Sequence, residues 1–471
     1  MDQLLNHKHK NDFLLSNNTS NRNRKIKILC NECNQKTERL DENNQVCHVC
    51  YKAKSVYTPS GNKVIDDFIK HTLVTGSRLV GKMVFVPYDQ FKDVKFIAEG
   101  GFSKIYKATW IDGPIHGWSK KKQSFMNKKN HPVVLKKLNN SKVITSKELN
   151  ELKIFHEFSL NSKYIGFVSV YFGITQDPVT KDLMIIMAYY NSGDLIHYLS
   201  NDFYNIIWDT KLNNLRYIIY GLKNIHSAHI IHRDFHSGNI FFKNEVTCIG
   251  DLGISKSATE STDSTENYGI IPYMAPEIFQ RQTYTTASDI YSFGMIMWEF
   301  MTGRRPFWDR IHDVELIIEI WDGLRPPIVT NAPEGYIELM KECWNSDPKK
   351  RPTAEDIYRK IKGIWFSENP NTTKIIVSPD IGPIAENNPG AVYKSRPLSD
   401  MILSAMFTRS LRSQSITAEV GNINKFYSFK DKRKFEDNQI ESRFDEDKII
   451  KKIKLIENKN NGKILLIICN K

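Results

Sequence analysis

The stretch that most constrains the fold runs from residue 228 to residue 253, where short apolar runs alternate with polar loops. Ala228 to Ile231 leads into a loop that contains Asp234 and Asn239, and the apolar residues 240–242 follow directly. Apolar runs of this length, bounded by turn residues, are typical of buried strands. The loop between them suits a site in which Asp234 takes a proton from an alcohol and Asn239 holds a divalent metal ion.

The length and charge of the chain limit the classes of protein to which it can belong. A chain of 471 residues is too long for one core and predicts several units of domain size. Its formal charge is +13, but the lysines and arginines are scattered, which is typical of a solvated surface. We therefore expect no nucleic-acid partner. A weaker alternative places a nucleic acid on the basic flank formed by residues 22–27.

The sequence also predicts a location inside the cell. No apolar run reaches the roughly 18 residues that a membrane helix needs, and the polar N-terminus lacks the apolar core of a signal peptide. Four of the seven cysteines occur as two close pairs, which favours metal binding over disulfides. We expect a reducing, intracellular compartment, cytoplasmic or nuclear, and no membrane partner.

Two C-x-x-C pairs near the N-terminus predict a zinc site. Cys30 and Cys33 form the first pair, and Cys47 and Cys50 form the second. Each pair aims two thiolates at one point, and two pairs supply the closed tetrahedral set that structural Zn²⁺ prefers. Residues 26–55 are therefore predicted to be a zinc-ribbon-like knuckle. The alternative is a group of unliganded surface thiols.

Composition divides the remaining chain into segments. Residues 1–25 are rich in Asn and Ser and are predicted to be disordered. Residues 56–90 are predicted to be a linker, and the polar, basic residues 112–130 an extended loop. Prolines and alternating charges predict a mostly disordered C-terminal tail over residues 367–471, which could carry docking motifs.

Further residue patterns upstream suit a phosphate-binding site. Residues 96–108 read as two strands joined by a turn of small residues, whose backbone amides can approach phosphates closely. A plain hairpin is the alternative. Lys136 closes the apolar run Val133 to Leu135, where a lysine is ordinarily a surface residue with a buried stem. Glu151 lies near the start of a helical pattern over residues 148–160.

Taken in this order, the pieces resemble a eukaryotic protein kinase of the tyrosine-kinase-like group over residues 91–366. Ala275-Pro276-Glu277, Asp289 and Arg351-Pro352 match further motifs of that family, in which the arginine pairs with the glutamate. The resemblance implies an α+β, bilobal kinase fold with a small β-rich N-lobe and a larger helical C-lobe. In this chain, the zinc knuckle would precede that fold on its N-terminal side, and disordered tails would lie at both ends of the chain.

The resemblance also implies a role for each matching residue. Asp234 would be the catalytic base, and Lys136, held by Glu151, would pair with the α- and β-phosphates of ATP. Asn239 and Asp251 would hold Mg²⁺. The implied ATP-binding residues are Ile97, Ala98, Gly100, Gly101, Ser103, Ile105, Val134, Lys136, Met187 and Tyr190.

Arg233 is a predicted regulatory residue beside the catalytic base. In the family, such an arginine helps to receive a phosphate on the activation segment. Residues 255–268 contain Ser261, Thr262, Ser264, Thr265 and Tyr268 and would supply that phosphate. The alternative is an unmodified flexible loop.

Departures from the family pattern leave two functions open. Ala98 and Ser103 replace glycines of the phosphate loop, His236 replaces the lysine of serine/threonine kinases, and Leu252 replaces a phenylalanine. All the polar catalytic residues are present. The sequence favours a kinase that transfers the γ-phosphoryl group of ATP to a protein Ser or Thr, with Tyr left open. The alternative is a pseudokinase adaptor that binds partners through the kinase fold, the zinc knuckle or the tail.

Overall fold

A computed structural model describes residues 28–412, apart from residues 35, 38–39, 42–44, 76–78, 102, 120, 123, 146, 163–165, 244–245, 258–266 and 369–371. The predicted disorder of residues 1–25, and of the tail beyond residue 412, falls outside these described residues. No helix within them combines the length and the apolar character needed to cross a membrane.

The N-terminal module is built from very short elements around the paired cysteines. Its elements are β1 (Ile28–Leu29), β2 (Lys36–Thr37), β3 (Leu40–Asp41), β4 (Val46–Cys47) and α1 (His48–Lys54). β1 pairs with β2, and β3 pairs with β4, both antiparallel. Its small core consists of Cys30, Val46, Cys47 and Cys50, so the cysteines themselves supply most of the buried side chains.

The prediction of a linker over residues 56–90 is wrong, because much of this segment forms regular secondary structure. It forms α2 (Lys63–Val74) and β5 (Val84–Phe85). The Asn62 side chain caps α2 by accepting the backbone N–H groups of Val64 and Ile65. The helix buries one face, which is formed by Ile65, Phe68, Ile69 and Leu73. Both elements are therefore part of the main core.

The N-lobe is a six-stranded sheet with one long helix beside it. Its remaining elements are β6 (Phe91–Glu99), β7 (Ser103–Trp110), β8 (Ile115–Ser119), β9 (Ser124–Asn127), β10 (His131–Leu138), α3 (Asn150–Asn161), β11 (Tyr171–Gln176) and β12 (Leu183–Ala188). The strand order is β5-β11-β12-β10-β7-β6. All pairs are antiparallel except β5 with β11, which is parallel.

Residues 112–130 form a hairpin rather than the predicted extended loop. β8 and β9 pair antiparallel, with Trp118 opposite Phe125 and their rings 4.9 Å apart. The Trp118 ring also meets the edge of His48 at 6.2 Å and lies 4.6 Å from the Lys52 ammonium group. The aromatic pair stabilises the hairpin, and Trp118 joins it to α1 of the N-terminal module.

The C-lobe is mainly helical and also contains three short antiparallel strand pairs among its described residues. Its elements are α4 (Leu195–Asp202), α5 (Trp208–Ser227), β13 (Ile230–Ile231), β14 (Ile240–Lys243), β15 (Val246–Ile249), β16 (Lys256–Ser257), β17 (Tyr268–Gly269), α6 (Pro276–Phe279), α7 (Thr286–Thr302), α8 (Val314–Trp321), α9 (Tyr336–Cys343), α10 (Ala354–Glu368) and β18 (Arg396–Pro397). α7 is buried along nearly its whole length, as expected of an apolar helix at the centre of a lobe.

The tail predicted to be mostly disordered is ordered over residues 372–410, which we call the tail segment. It contributes Ile381, Leu398, Ile402 and Ala405 to the main core. Backbone bonds fix its path on the C-lobe, including one from Gly382 N–H to the Thr302 carbonyl at 2.7 Å. A helix begins at residue 399. The prediction failed here because the contacts that order this segment are made with residues far away in the chain.

Candidate active site

A buried lysine joins three elements at the junction of the lobes. Lys136 lies on β10, and its ammonium group donates to Glu151 Oε2 on α3 at 2.9 Å. The same group donates to Asp251 Oδ1 at 2.7 Å. Lys136 and Glu151 are almost fully buried, whereas 38% of the Asp251 side chain is exposed. The structure thus brings together three residues that are far apart in the sequence.

Tyr171 is a site residue that the sequence did not reveal. Its buried hydroxyl donates to Glu151 Oε1 at 2.8 Å, so both carboxylate oxygens of Glu151 are bound. Burial raises the pKa of Tyr171, which keeps the hydroxyl protonated as a donor. Nothing in the sequence near Tyr171, an aromatic residue at the start of a strand, indicates this contact.

The three charged groups set one another's protonation states. Burial lowers the pKa of Lys136, but the Asp251 and Glu151 carboxylates outweigh it and hold the pKa above its ordinary value. Burial raises the pKa of Asp251, but Lys136 outweighs it and the pKa lies below its usual range. Burial dominates at Glu151 and raises its pKa. Lys136 is therefore a fixed cation, and Asp251 an anion, at neutral pH.

The catalytic loop, residues 232–239, is held in place by a buried carboxylate on α7. Asp289 Oδ2 accepts the backbone N–H of His232 at 2.9 Å, and Oδ1 accepts that of Arg233 at 2.9 Å. The His226 ring also donates to Oδ2, at 2.8 Å. Arg233 has φ +71°, a conformation that is costly for a side-chain-bearing residue. Asp289 therefore stabilises a strained backbone immediately before Asp234.

Asn239 links the two ends of the catalytic loop. Its amide nitrogen donates to the Asp234 carbonyl at 2.9 Å and lies 3.1 Å from His236 Nε2. Both contacts use the amide nitrogen. The amide oxygen therefore remains as a ligand for a metal ion. Asp251, which follows β15, has φ +57°. Asn239 and Asp251 together offer oxygen ligands of the kind that Mg²⁺ prefers.

His236 lies beside Asp234, in the position where the sequence departs from serine/threonine kinases. Its Nε2 is 3.7 Å from Asp234 Oδ2, and its Nδ1 accepts the Gly238 N–H at 3.1 Å. Burial lowers the pKa of His236, but the Asp234 carboxylate outweighs it and the net shift is upward. Only a neutral ring can accept the Gly238 N–H at Nδ1, so His236 in this arrangement supplies no fixed charge of the kind that a lysine would supply.

Several of the predicted ATP-binding residues lie on β6, β7, β10 and β12 of the N-lobe sheet, which also carries Lys136. The phosphate loop, residues 98–103, joins β6 to β7, and the Gly100 N–H donates to the Ser103 carbonyl at 2.8 Å. Ala98 lies opposite Ile105 in the sheet, and Val134 lies opposite Met187. The side chain of Ile97 is about half exposed.

Tyr190 differs from the other predicted ATP contacts. Its ring stacks on Phe241 at 5.5 Å, with an interplanar angle of 15°. Burial raises the pKa of its hydroxyl, as expected of a phenol packed into the protein. Its side chain therefore packs against β14, and its backbone is the part that remains for a nucleotide.

The end of the activation segment is tied to the C-lobe by two buried contacts. Glu277 forms a two-pronged ion pair with Arg351 at 2.6 and 2.7 Å, the pairing that the sequence predicted. Tyr273 donates to Glu299, which also accepts from Ser237 Oγ at 3.1 Å. Burial raises the pKa of Glu299 to about 7. The second contact, which the sequence did not reveal, joins the activation segment to the catalytic loop.

Arg233 packs close to the activation segment, but most of the residues predicted to carry its phosphate partner lie outside the described residues. Its guanidinium group lies 4.5 Å from the Tyr284 ring and donates to the Ile254 carbonyl at 3.4 Å. Ser261, Thr262, Ser264 and Thr265 fall outside the described residues. Tyr268, the fifth candidate, lies on β17.

The four N-terminal cysteines converge, as their spacing predicted. The Sγ atoms of Cys30, Cys33, Cys47 and Cys50 all lie within 4.8 Å of one another. Cys33 Sγ and Cys47 Sγ are 3.8 Å apart, which is about the sulfur–sulfur distance around a tetrahedral zinc ion. The Cys47 N–H also donates to Cys30 Sγ at 3.2 Å. This cluster is compatible with zinc.

Comparison with known proteins agrees with this geometry. Residues 91–361 match the family model described as protein tyrosine and serine/threonine kinase. One relative is a probable serine/threonine-protein kinase of Dictyostelium discoideum, 28% identical over 58% of this chain and 20% of its own length. Another is a probable LIM domain-containing serine/threonine-protein kinase of the same organism, 26% identical over 65% of this chain and 45% of its own length.

A third relative comes from an animal. Ephrin type-A receptor 7 of Gallus gallus is 30% identical over 44% of this chain and 22% of its own length. The chain thus spans less than half the length of each of these relatives, and the similarity concerns the kinase domain. Because the family model covers more than half of the 471 residues, the chain belongs to the protein tyrosine and serine/threonine kinase family.

Proposed function

We propose that this chain transfers the γ-phosphoryl group of ATP to serine or threonine hydroxyls of proteins. The observation that carries the proposal is the Lys136 ammonium group between Glu151 and Asp251, at 2.9 and 2.7 Å. A kinase needs the lysine–glutamate pair and the metal-binding aspartate in place at once. A pseudokinase adaptor would not need this arrangement, so the geometry favours the enzyme.

The residues present fit Mg-ATP in their charges and their donor atoms. The partly exposed carboxylate of Asp251 and the amide oxygen of Asn239 would hold Mg²⁺, and Lys136 would contact the phosphates. When bound, the magnesium ion offsets the negative charge that is shared between the β- and γ-phosphates. The small residues of the phosphate loop would let its backbone come close to a phosphate.

The protein's own residues then position the acceptor. Asp234 accepts the proton of the substrate hydroxyl, and Asp289 fixes the backbone that carries it. His236 lies beside Asp234 as a neutral ring that accepts the Gly238 N–H, which helps to hold the catalytic loop. Catalysis by this site is thus mainly positioning and charge stabilisation.

The choice of acceptor is testable with matched peptides. We expect peptides that differ only in a central Ser, Thr or Tyr to be phosphorylated at least about tenfold faster when the acceptor is Ser or Thr. The names of the Dictyostelium relatives support this expectation. Initial rates with radiolabelled ATP give the ranking, and the Asp234→Asn variant provides the background. A preference for Tyr would contradict the proposed acceptor.

We propose that the cysteine cluster binds one structural zinc ion. We also propose that the protein works in a reducing, intracellular compartment, in which these thiols are not oxidised to disulfides. Zinc binding would supply most of the folding energy of a module with so small a core. We expect about one zinc per chain, and we expect a strong chelator to raise amide exchange in α1 but not in α7.

A pair of cysteine variants provides the control for zinc. Cys47→Ser should lose the metal, whereas Cys248→Ser, outside the cluster, should retain it. Elemental analysis of the purified protein measures both. Full zinc content in Cys47→Ser, or none in the wild type, would contradict the site.

A further inference from the structure

The tail segment adds a strand to the end of the activation segment. β18 pairs antiparallel with β17, with Gly269 opposite Arg396. The pairing continues as the Leu398 N–H donates to the Asn267 carbonyl at 2.8 Å and the Asn267 N–H donates to Ser399 Oγ at 2.9 Å. An extended peptide that pairs with an exposed backbone edge is one of the recurring ways in which proteins bind peptides.

Ser395, immediately before this strand, lies under the phosphate loop. A Cβ atom on Gly101 would stand 2.2 Å from the Ser395 carbonyl oxygen, so only glycine permits this approach. The Ser395 hydroxyl oxygen is buried, and no described residue gives it a hydrogen bond. A buried hydroxyl without a partner costs stability. An acceptor hydroxyl that awaits its phosphoryl donor would have this environment.

Contacts on both sides of Ser395 fix the path of the chain. The Tyr393 hydroxyl donates to the Pro306 carbonyl at 2.8 Å, and the Arg305 guanidinium lies 3.9 Å from the Tyr393 ring. On the other side, Arg396 donates to the His312 carbonyl at 2.8 Å. Leu398 is completely buried. Ser395 is thus held between two anchor points on the C-lobe.

We propose that residues 393–398 occupy the peptide-substrate groove of their own chain, with Ser395 as the phosphoacceptor. This rests on the proposed kinase activity. In the proposed step the Ser395 hydroxyl, which forms no hydrogen bond to Asp234 in this structure, moves within reach of that carboxylate. It gives its proton to Asp234 while its Oγ forms a bond to the γ-phosphorus of ATP. The bond between that phosphorus and the bridging oxygen of ADP breaks, and ADP leaves. Because the segment is tethered, it competes with separate substrates at a high effective concentration.

The first test needs no catalysis. A fluorescent peptide with the sequence of residues 390–400 is titrated, without nucleotide, into the full chain and two variants. Leu398→Asp should release the tail and bind the peptide about tenfold more tightly than wild type, because the groove becomes free. Leu403→Asp makes the same change on a side chain that is about half exposed and should bind like wild type. Equal binding by all three proteins would overturn the proposal.

A milder variant tests release of the tail without placing a charge in the hydrophobic core, where Leu398→Asp could cause misfolding. Arg396→Glu removes the bond to the His312 carbonyl without burying a charge in the core, since Arg396 is only partly buried. It should shift peptide binding in the same direction as Leu398→Asp, with the thermal unfolding midpoint of the wild type. Unchanged binding by a folded Arg396→Glu protein, together with unchanged binding by Leu398→Asp, would contradict occupancy of the groove.

The second test uses Mg-ATP and mass spectrometry. We expect phosphate on Ser395, formed at a fractional rate that does not depend on protein concentration, and none at this position in Ser395→Ala. A protein that phosphorylates a separate peptide but leaves Ser395 unmodified would overturn the acceptor assignment. If the wild type modifies neither, the proposed kinase activity has failed instead, and the peptide titration still decides whether the tail fills the groove.

Discussion

Replacing Asp234 with asparagine is expected to lower phosphoryl transfer by about 10²–10⁴-fold, the range that a positioned general base contributes. The amide keeps the shape of the side chain but cannot accept the proton of the acceptor hydroxyl. The backbone of the catalytic loop should stay in place, because Asp289 holds it through the His232 and Arg233 N–H groups. The effect should therefore appear in the rate and not in the fold.

Nucleotide binding provides the control for this variant. Lys136 binds Glu151 and Asp251, and the Asp234 carboxylate is not one of the partners that the structure describes for this cluster. We expect Mg-ATP to raise the thermal unfolding midpoint of Asp234→Asn as much as that of the wild type. Loss of this thermal shift would mean that the substitution damages the site as a whole.

Replacing Arg351 with methionine is expected to destabilise the domain by about 3–5 kcal/mol, the cost of leaving one partner of a buried ion pair uncompensated. The Arg351 side chain is fully buried, and it holds both oxygens of Glu277 at 2.6 and 2.7 Å. It also donates to the carbonyls of Asn345 and Ala287. Thermal unfolding should show a midpoint lower by about 10 °C.

A double variant separates the charge effect from simple loss of packing. Glu277→Gln together with Arg351→Met removes the stranded carboxylate and should recover part of the lost stability. Arg359→Met, at a largely exposed residue on α10, should change the midpoint little. If Arg351→Met and Arg359→Met had equal effects, the buried ion pair would have no structural role.

The chemistry-bearing residues were predictable because their types and their order along the chain resemble the protein-kinase pattern. Lys136, Glu151 and Asp251 were each ordinary alone, but their order along the chain indicated one site, and the structure brings them within hydrogen-bond distance. The cysteine cluster was predictable from spacing alone, since two C-x-x-C pairs determine a local geometry.

What the sequence did not reveal depends on contacts between distant segments. The spacing of Ile65, Phe68, Ile69 and Leu73 contains a helical signal, but polar neighbours and turn residues made the region resemble a linker. Prolines made the tail segment resemble a disordered tail, but bonds to the C-lobe, such as that from Tyr393 to Pro306, order it. Tyr171 likewise reaches Glu151 only once the sheet and α3 have packed together.

The most direct test of kinase activity is the transfer of radiolabelled γ-phosphate from Mg-ATP to protein acceptors by the full chain, with Asp234→Asn prepared in parallel. The proposal predicts time-dependent incorporation by the wild type, on Ser or Thr, and almost none by the variant. A wild-type protein that binds Mg-ATP but transfers no phosphate would contradict the proposed activity, as would equal incorporation by both proteins.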